Sequence, residues 1–228
     1  MIHITPGAPH EYLGTLLSAL IIVFSAIGLT MHECFYAGIR RKGFYCYFTN
    51  LSNLLVLLHF GLISPRLYTL PPLYPLIPHA DFFVTANIML TCTVFSSILM
   101  PPILSSLRGA SLDRRLMMMA CSSAVEHHIV PLLTLCYWLL CSPGKEQLGI
   151  ADAWIWMLFP SLYLLGVLRR GMKGIPMYDT GLAYPYPFLD IGRYGAKAVS
   201  AVCIRLCAAA FVISVAAVAV VRLILSFR

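Results

Sequence analysis

Two short stretches hold most of the groups that could do chemistry. YFTNLSNLL, Tyr47 to Leu55, carries Thr49, Asn50, Ser52 and Asn53, and VEHHIVP, Val125 to Pro131, carries Glu126, His127 and His128. A hydroxyl is a poor nucleophile until a base within hydrogen-bond reach takes its proton, and a neutral imidazole is the usual base. Burial disfavours the charged form of a histidine, which suits that role. Thr49 with a histidine of the second stretch therefore has the residue types of a nucleophile–base pair. Asn50, Asn53 or backbone donors near a proline kink are candidates for holding the developing oxyanion. The structural alternative is that Ser, Thr and Asn in apolar helices bond backbone carbonyls or join helices together.

Helical spacing separates the two histidines. Residues three, four and seven apart share a face, so Ser123, His127, Pro131 and Thr134 form a polar stripe, while His128 sides with Cys121, Ala124, Leu132 and Leu135. His127 is the expected inward-facing base and His128 the alternative. Pro131 cannot donate to the carbonyl four residues back, which belongs to His127, and predicts a kink there. Thr49, Ser52 and Asn53 likewise share a face, with Asn50 beside it. Arg205 has two readings: its stem carries the charge to the membrane surface, or it pairs with Glu126 or Glu33.

These groups must be positioned by membrane helices. The 228 residues are 60% hydrophobic and 11% charged, a balance unsuited to a water-soluble surface. Six apolar stretches, Leu13 to Tyr36, Phe44 to Ile63, Asp81 to Leu104, Leu116 to Cys141, Ile150 to Leu168 and Val199 to Leu225, each match the ~20 residues that cross a hydrocarbon core. The sequence predicts an all-α, polytopic membrane protein, a bundle of six transmembrane helices forming a single domain over residues 1–228. The first stretch lacks a basic leader and a cleavage site and reads as a retained helix.

The net charge of +7 is spread by loop parity, which argues against nucleic acid as a partner. Arg40, Arg41 and Lys42 fall in the first loop, Arg108, Arg114 and Arg115 in the third, and Arg169, Arg170, Lys173, Arg193 and Lys197 in the fifth. By the positive-inside rule these loops face the cytoplasm and both termini the other side. The eight cysteines are scattered without a C-x-x-C pair, and neither Cys203 with Cys207 nor any H-E-x-x-H spacing points to a metal, so no metal or cofactor is expected.

Three irregular places stand out. SPRLYTLPPLYPLIPHAD, with Pro65, Pro71, Pro72, Pro75 and Pro78, predicts an extended outer cap. Pro101 and Pro102 predict a kink or helix end in the third span. LAYPYPFLD, Leu182 to Asp190, predicts an extended, amphipathic segment at the cytoplasmic interface. There Tyr184, Tyr186 and Asp190 either fold over the entrance to a site or, for Asp190, cap the last helix.

YFTNLSNLL, HHIVPLL and YPYPFLD, in this order and spacing, resemble the six-helix bacterial membrane proteins of the Pr-six-Pr family, distant relatives of the androgen-induced membrane hydrolases. The resemblance covers nearly the whole chain. It implies an intramembrane threonine hydrolase of fatty-acid esters in a bacterial inner membrane, with the threonine at Thr49 and the histidine at His127 or His128. A related acyltransferase group leaves transfer open beside hydrolysis. The implied partners are membrane lipids and a lipid-ester substrate. The competing readings are a transporter with a buried polar site, a metal-dependent hydrolase using His32, His127 or His128 with Glu33 or Glu126, and a packing role for all these groups.

Overall fold

The computed structural model describes residues 9–36, 46–106, 114–177 and 181–226; Arg40, Arg41, Lys42, Arg108 and the side chains of His32, Glu33 and Arg115 lie outside the described residues. Regular structure in the described residues is helical throughout. Among the described residues, six helical segments are long and apolar enough to cross a membrane: Tyr12–Met31, Phe48–Thr69, Pro71–Ser105, Leu116–Leu140, Ile150–Met172 and Ala196–Leu223. The chain is a multi-pass membrane protein of the all-α class expected from its apolar runs.

The first segment is one helix, α1 (Pro9–Tyr36), and the sixth is α11 (Ala196–Ser226). The others are interrupted. The second runs as α2 (Phe48–Leu58), a π-turn at His59–Ile63 and α3 (Ser64–Thr69). A 3-10 turn at Pro71–Leu76, α4 (Ile77–Val94), a π-turn at Phe95–Leu99 and α5 (Met100–Ser106) make the third. The fourth is α6 (Arg114–Ala124), a π-turn at Val125–Ile129 and α7 (Val130–Leu140). The fifth is α8 (Ile150–Ile155) and α9 (Leu158–Met172), and a short α10 (Ile191–Tyr194) precedes α11.

All three π-turns have one local cause. Each ends two residues before a proline, Ile63 before Pro65, Leu99 before Pro101 and Ile129 before Pro131. The intervening residue reaches back five positions, Ser64 to the His59 carbonyl, Met100 to Phe95 and Val130 to Val125. A proline ring in a regular helix collides with the carbonyl four residues back and has no N–H to give it. One wide turn relieves that collision and the helix continues. The helix end or kink predicted at Pro101 and Pro102 is therefore a π-turn leading into α5.

The proline-rich segment also differs from the extended cap predicted for it. Pro65, Pro71, Pro72 and Pro78 occupy first-turn positions of α3, the 3-10 turn and α4. The N–H that proline lacks has no helical partner in a first turn, so each is tolerated there and starts a helix.

The chain divides into two compact units, Met1–Phe35 with Ser52–Lys145, and Tyr36–Leu51 with Glu146–Arg228. The core of the first includes Leu17 and Ile21 of α1, Val56 of α2, Phe60, Val84 and Ile88 of α4, Val125, and Val130 and Tyr137 of α7. In the second, Val167 of α9, Tyr184, Leu189 and Val199 and Cys203 of α11 pack together. Gly171 of α9 permits this: a Cβ there would lie 2.0 Å from the Tyr184 ring.

Candidate functional site

Thr49 lies in the first turn of α2 and is 8% exposed. The first N–H groups of a helix have no partner within it. Here that of Phe48 is taken by a side chain far along the chain, donating to the Tyr186 hydroxyl at 3.0 Å. A hydrogen bond also joins the Tyr186 hydroxyl to that of Thr49. Burial raises the Tyr186 phenol above its ordinary pKa, opposed by hydrogen bonds from Thr49, Phe48 and Tyr163, so the phenol remains protonated at neutral pH. Aromatic rings enclose this helix end. Phe48 packs on Phe159 and Tyr163 with ring centres 5.7 and 5.1 Å apart, and the Tyr163 hydroxyl donates to the Cys46 carbonyl at 2.7 Å. Tyr186 meets Tyr47 edge-on and stacks on Phe188.

The expected extended segment is thus partly so. Tyr186 has extended backbone, and Pro187–Leu189 turns as a 3-10 helix. Tyr184 is buried against α9, and Asp190 is a cap: its Oδ1 accepts the Arg193 N–H at 3.1 Å and so starts the short α10 rather than the last helix. Arg205 is exposed on α11 and forms no ion pair among the described residues.

In the other unit Ser52 and Asn53 of YFTNLSNLL join helices. Ser52 bonds Thr91 of α4 at 2.6 Å, and the Asn53 amide donates to the Glu126 carbonyl at 3.2 Å. That carbonyl needs an outside donor for a reason visible in the sequence. In the π-turn register, the residue after Val130 would bond the Glu126 carbonyl, and that residue is Pro131. Asn50 is fully buried, as are Ser52 and Asn53.

Glu126 is the buried member of its triplet, at 1% exposure, while His127 and His128 are both half-buried. The Glu126 side chain packs on α1 where a Cβ on Gly28 would lie 2.9 Å from its Cγ. His127 Nδ1 lies 2.9 Å from the Ser123 carbonyl and 3.3 Å from the Ser123 hydroxyl. A carbonyl can only accept, so Nδ1 holds a proton and, in the neutral ring, Nε2 is the basic nitrogen. His128 places Nε2 3.1 Å from the Ser96 hydroxyl. Phe95 stacks on His127 with centres 3.7 Å apart and meets His128 edge-on at 5.7 Å. Thr49 belongs to one compact unit and both histidines to the other.

One cluster escaped the reading of the two stretches. His59 Nε2 lies 2.7 Å from Asp81 Oδ1, and the Ser142 hydroxyl donates to Asp81 Oδ2 at 2.7 Å. His59 and Asp81 are each 1% exposed. The available signal was that ionisable residues inside an apolar span face a partner, a rule that applies to His59 and Asp81 as much as to Glu126. Among the described residues, no group of three or more His, Cys, Asp or Glu side chains is arranged to hold a metal ion.

A multi-pass helical membrane protein with polar clusters inside its spans is the class these features define. No family model, curated protein or solved structure matches the chain.

Proposed function

We propose that the chain is an intramembrane hydrolase of long-chain lipid esters, with Thr49 as nucleophile and His127 as base. The observation that carries the reading is the setting of Thr49: a buried hydroxyl in the first turn of a helix, hydrogen-bonded to Tyr186. The fixed Nδ1 proton of His127 supports it as well, because it leaves Nε2 to accept a proton. Thr49 Oγ attacks the ester carbonyl and gives its proton to the base, which returns it to the departing alcohol. Water then cleaves the acyl-threonine. A nucleophile inside a span reaches esters dissolved in the leaflet, which sets the substrate class. The resemblance to the Pr-six-Pr family agrees, and with it a bacterial inner membrane location with non-cytoplasmic termini.

The test uses purified protein, a fluorophosphonate probe and a long-chain ester. Thr49→Ala is expected to abolish adduct formation on this residue and to lower turnover, and His127→Ala to slow labelling of Thr49 by roughly 10²–10⁴-fold. A wild-type protein that forms no adduct on Thr49 rejects the assignment. Release of product onto an added alcohol in place of water marks acyl transfer. Transport is the second reading, favoured by interrupted helices and the buried His59–Asp81 pair, and solute uptake into vesicles without covalent labelling would support it.

A further inference from the structure

We infer that Ser96 and His128 form a second nucleophile–base pair, distinct from Thr49, able to take an acyl group from a carboxylic ester. Three observations carry it. First, the Ser96 hydroxyl lies 3.1 Å from His128 Nε2, across two different helical segments. A hydroxyl within this reach of an imidazole nitrogen is the arrangement that activates a nucleophile. A serine inside an apolar helix ordinarily turns back to a carbonyl of its own helix, as neighbouring Ser97 does to Thr93 and Thr134 does to Val130. Ser96 instead reaches the histidine, and on its own helix it shares a hydrogen bond with the Cys92 thiol.

Second, both partners sit on π-turns, Phe95–Leu99 and Val125–Ile129. Such turns are rare and frequently occur at functional sites. Phe95, the residue before Ser96, holds both imidazoles by its ring, face-on to His127 and edge-on to His128. The pair is thus supported by a neighbour of the nucleophile itself.

Third, the pair is accessible. Ser96 and His128 are both half-buried, and Thr93 and Ser97 beside them are exposed. Both lie within membrane-crossing segments, Pro71–Ser105 and Leu116–Leu140, so the ester that reaches them is one dissolved in lipid. In the reaction Ser96 Oγ bonds the acyl carbon, its proton moves to His128 Nε2, and the alkoxide leaves with that proton as the free alcohol. Water reverses these roles and releases the carboxylic acid.

The experiment maps fluorophosphonate adducts residue by residue in the full-length protein by mass spectrometry. The expected result is a phosphonyl group on Ser96 Oγ, formed as fluoride departs. Ser96→Ala removes this adduct, His128→Gln slows its formation by at least about 100-fold, and Ser97→Ala leaves it unchanged. Mapping in the unsubstituted protein does not depend on any variant folding, and a wild-type protein with no adduct on Ser96 overturns the inference. So does a Ser96 adduct whose rate His128→Gln leaves unaltered. An adduct on Thr49 alone refutes the Ser96 site and leaves the Thr49 reading standing. One on Ser96 alone does the opposite.

Discussion

Replacing Asp81 by alanine is expected to cost about 3–6 kcal/mol of stability. Asp81 accepts from His59 on one carboxylate oxygen and from Ser142 on the other, each at 2.7 Å. A hydrogen bond to a carboxylate contributes about 1.5–3 kcal/mol, and two such bonds give that figure. Ser142→Ala alone removes one bond and is expected to cost about 1.5–3 kcal/mol. In the Asp81→Ala background the same change should cost almost nothing, because its acceptor has gone. Unfolding of the four proteins by sodium dodecyl sulfate in mixed micelles measures all three differences. The reasoning is refuted if Ser142→Ala costs the same in both backgrounds, or if Asp81→Ala costs under about 1 kcal/mol.

Asn53→Ala is expected to destabilise by about 1–3 kcal/mol, since it strips the donor from the buried Glu126 carbonyl; in a Pro131→Ala background, where residue 131 regains an N–H, the same titration should show a smaller loss. Gly171→Ala drives a Cβ to 2.0 Å from the Tyr184 ring, whereas nothing lies within 4 Å of a Cβ on Gly166 of the same helix. The first should lower the thermal midpoint, and the second should raise it slightly by removing glycine's excess chain freedom, at about 0.5–1 kcal/mol. Tyr186→Phe keeps the ring packing but leaves the Phe48 N–H without its acceptor, so unfolding should show a loss of about 1–3 kcal/mol. If Thr49 is the nucleophile, the same variant should also slow its labelling by fluorophosphonate.

The helices were legible because a span needs only length and apolarity, and both are local properties of the chain. The His59–Asp81–Ser142 cluster was not, because its members stand 22 and 61 residues apart. No spacing rule joins them; only the requirement that buried ionisable groups find partners points to them. The proline-rich segment misled for a different reason. Proline excludes the middle of a helix but favours its first turn, so a run of prolines reads equally as extended chain or as a succession of helix starts. Tyr186 was placed in the sequence as an interfacial tyrosine. That its hydroxyl serves the N-terminus of α2 is a tertiary fact, 138 residues distant from Phe48.

The choice between His127 and His128 shows where helical spacing stops being a guide. The reasoning that put His127 inward and His128 outward used a period of 3.6 residues. Pro131 widens the turn that contains both histidines, so the Val130 N–H reaches Val125 rather than Glu126. An extra residue in a turn rotates the faces that follow it relative to those before it. His128, assigned by regular spacing to an apolar side, consequently bonds Ser96, while His127 keeps its bond one turn back to Ser123. The proline therefore does more than mark a bend: it widens the turn in which His128 meets the Ser96 hydroxyl, while His127 keeps Ser123. A single-histidine reading drawn from periodicity alone overlooks the second, and with it Ser96.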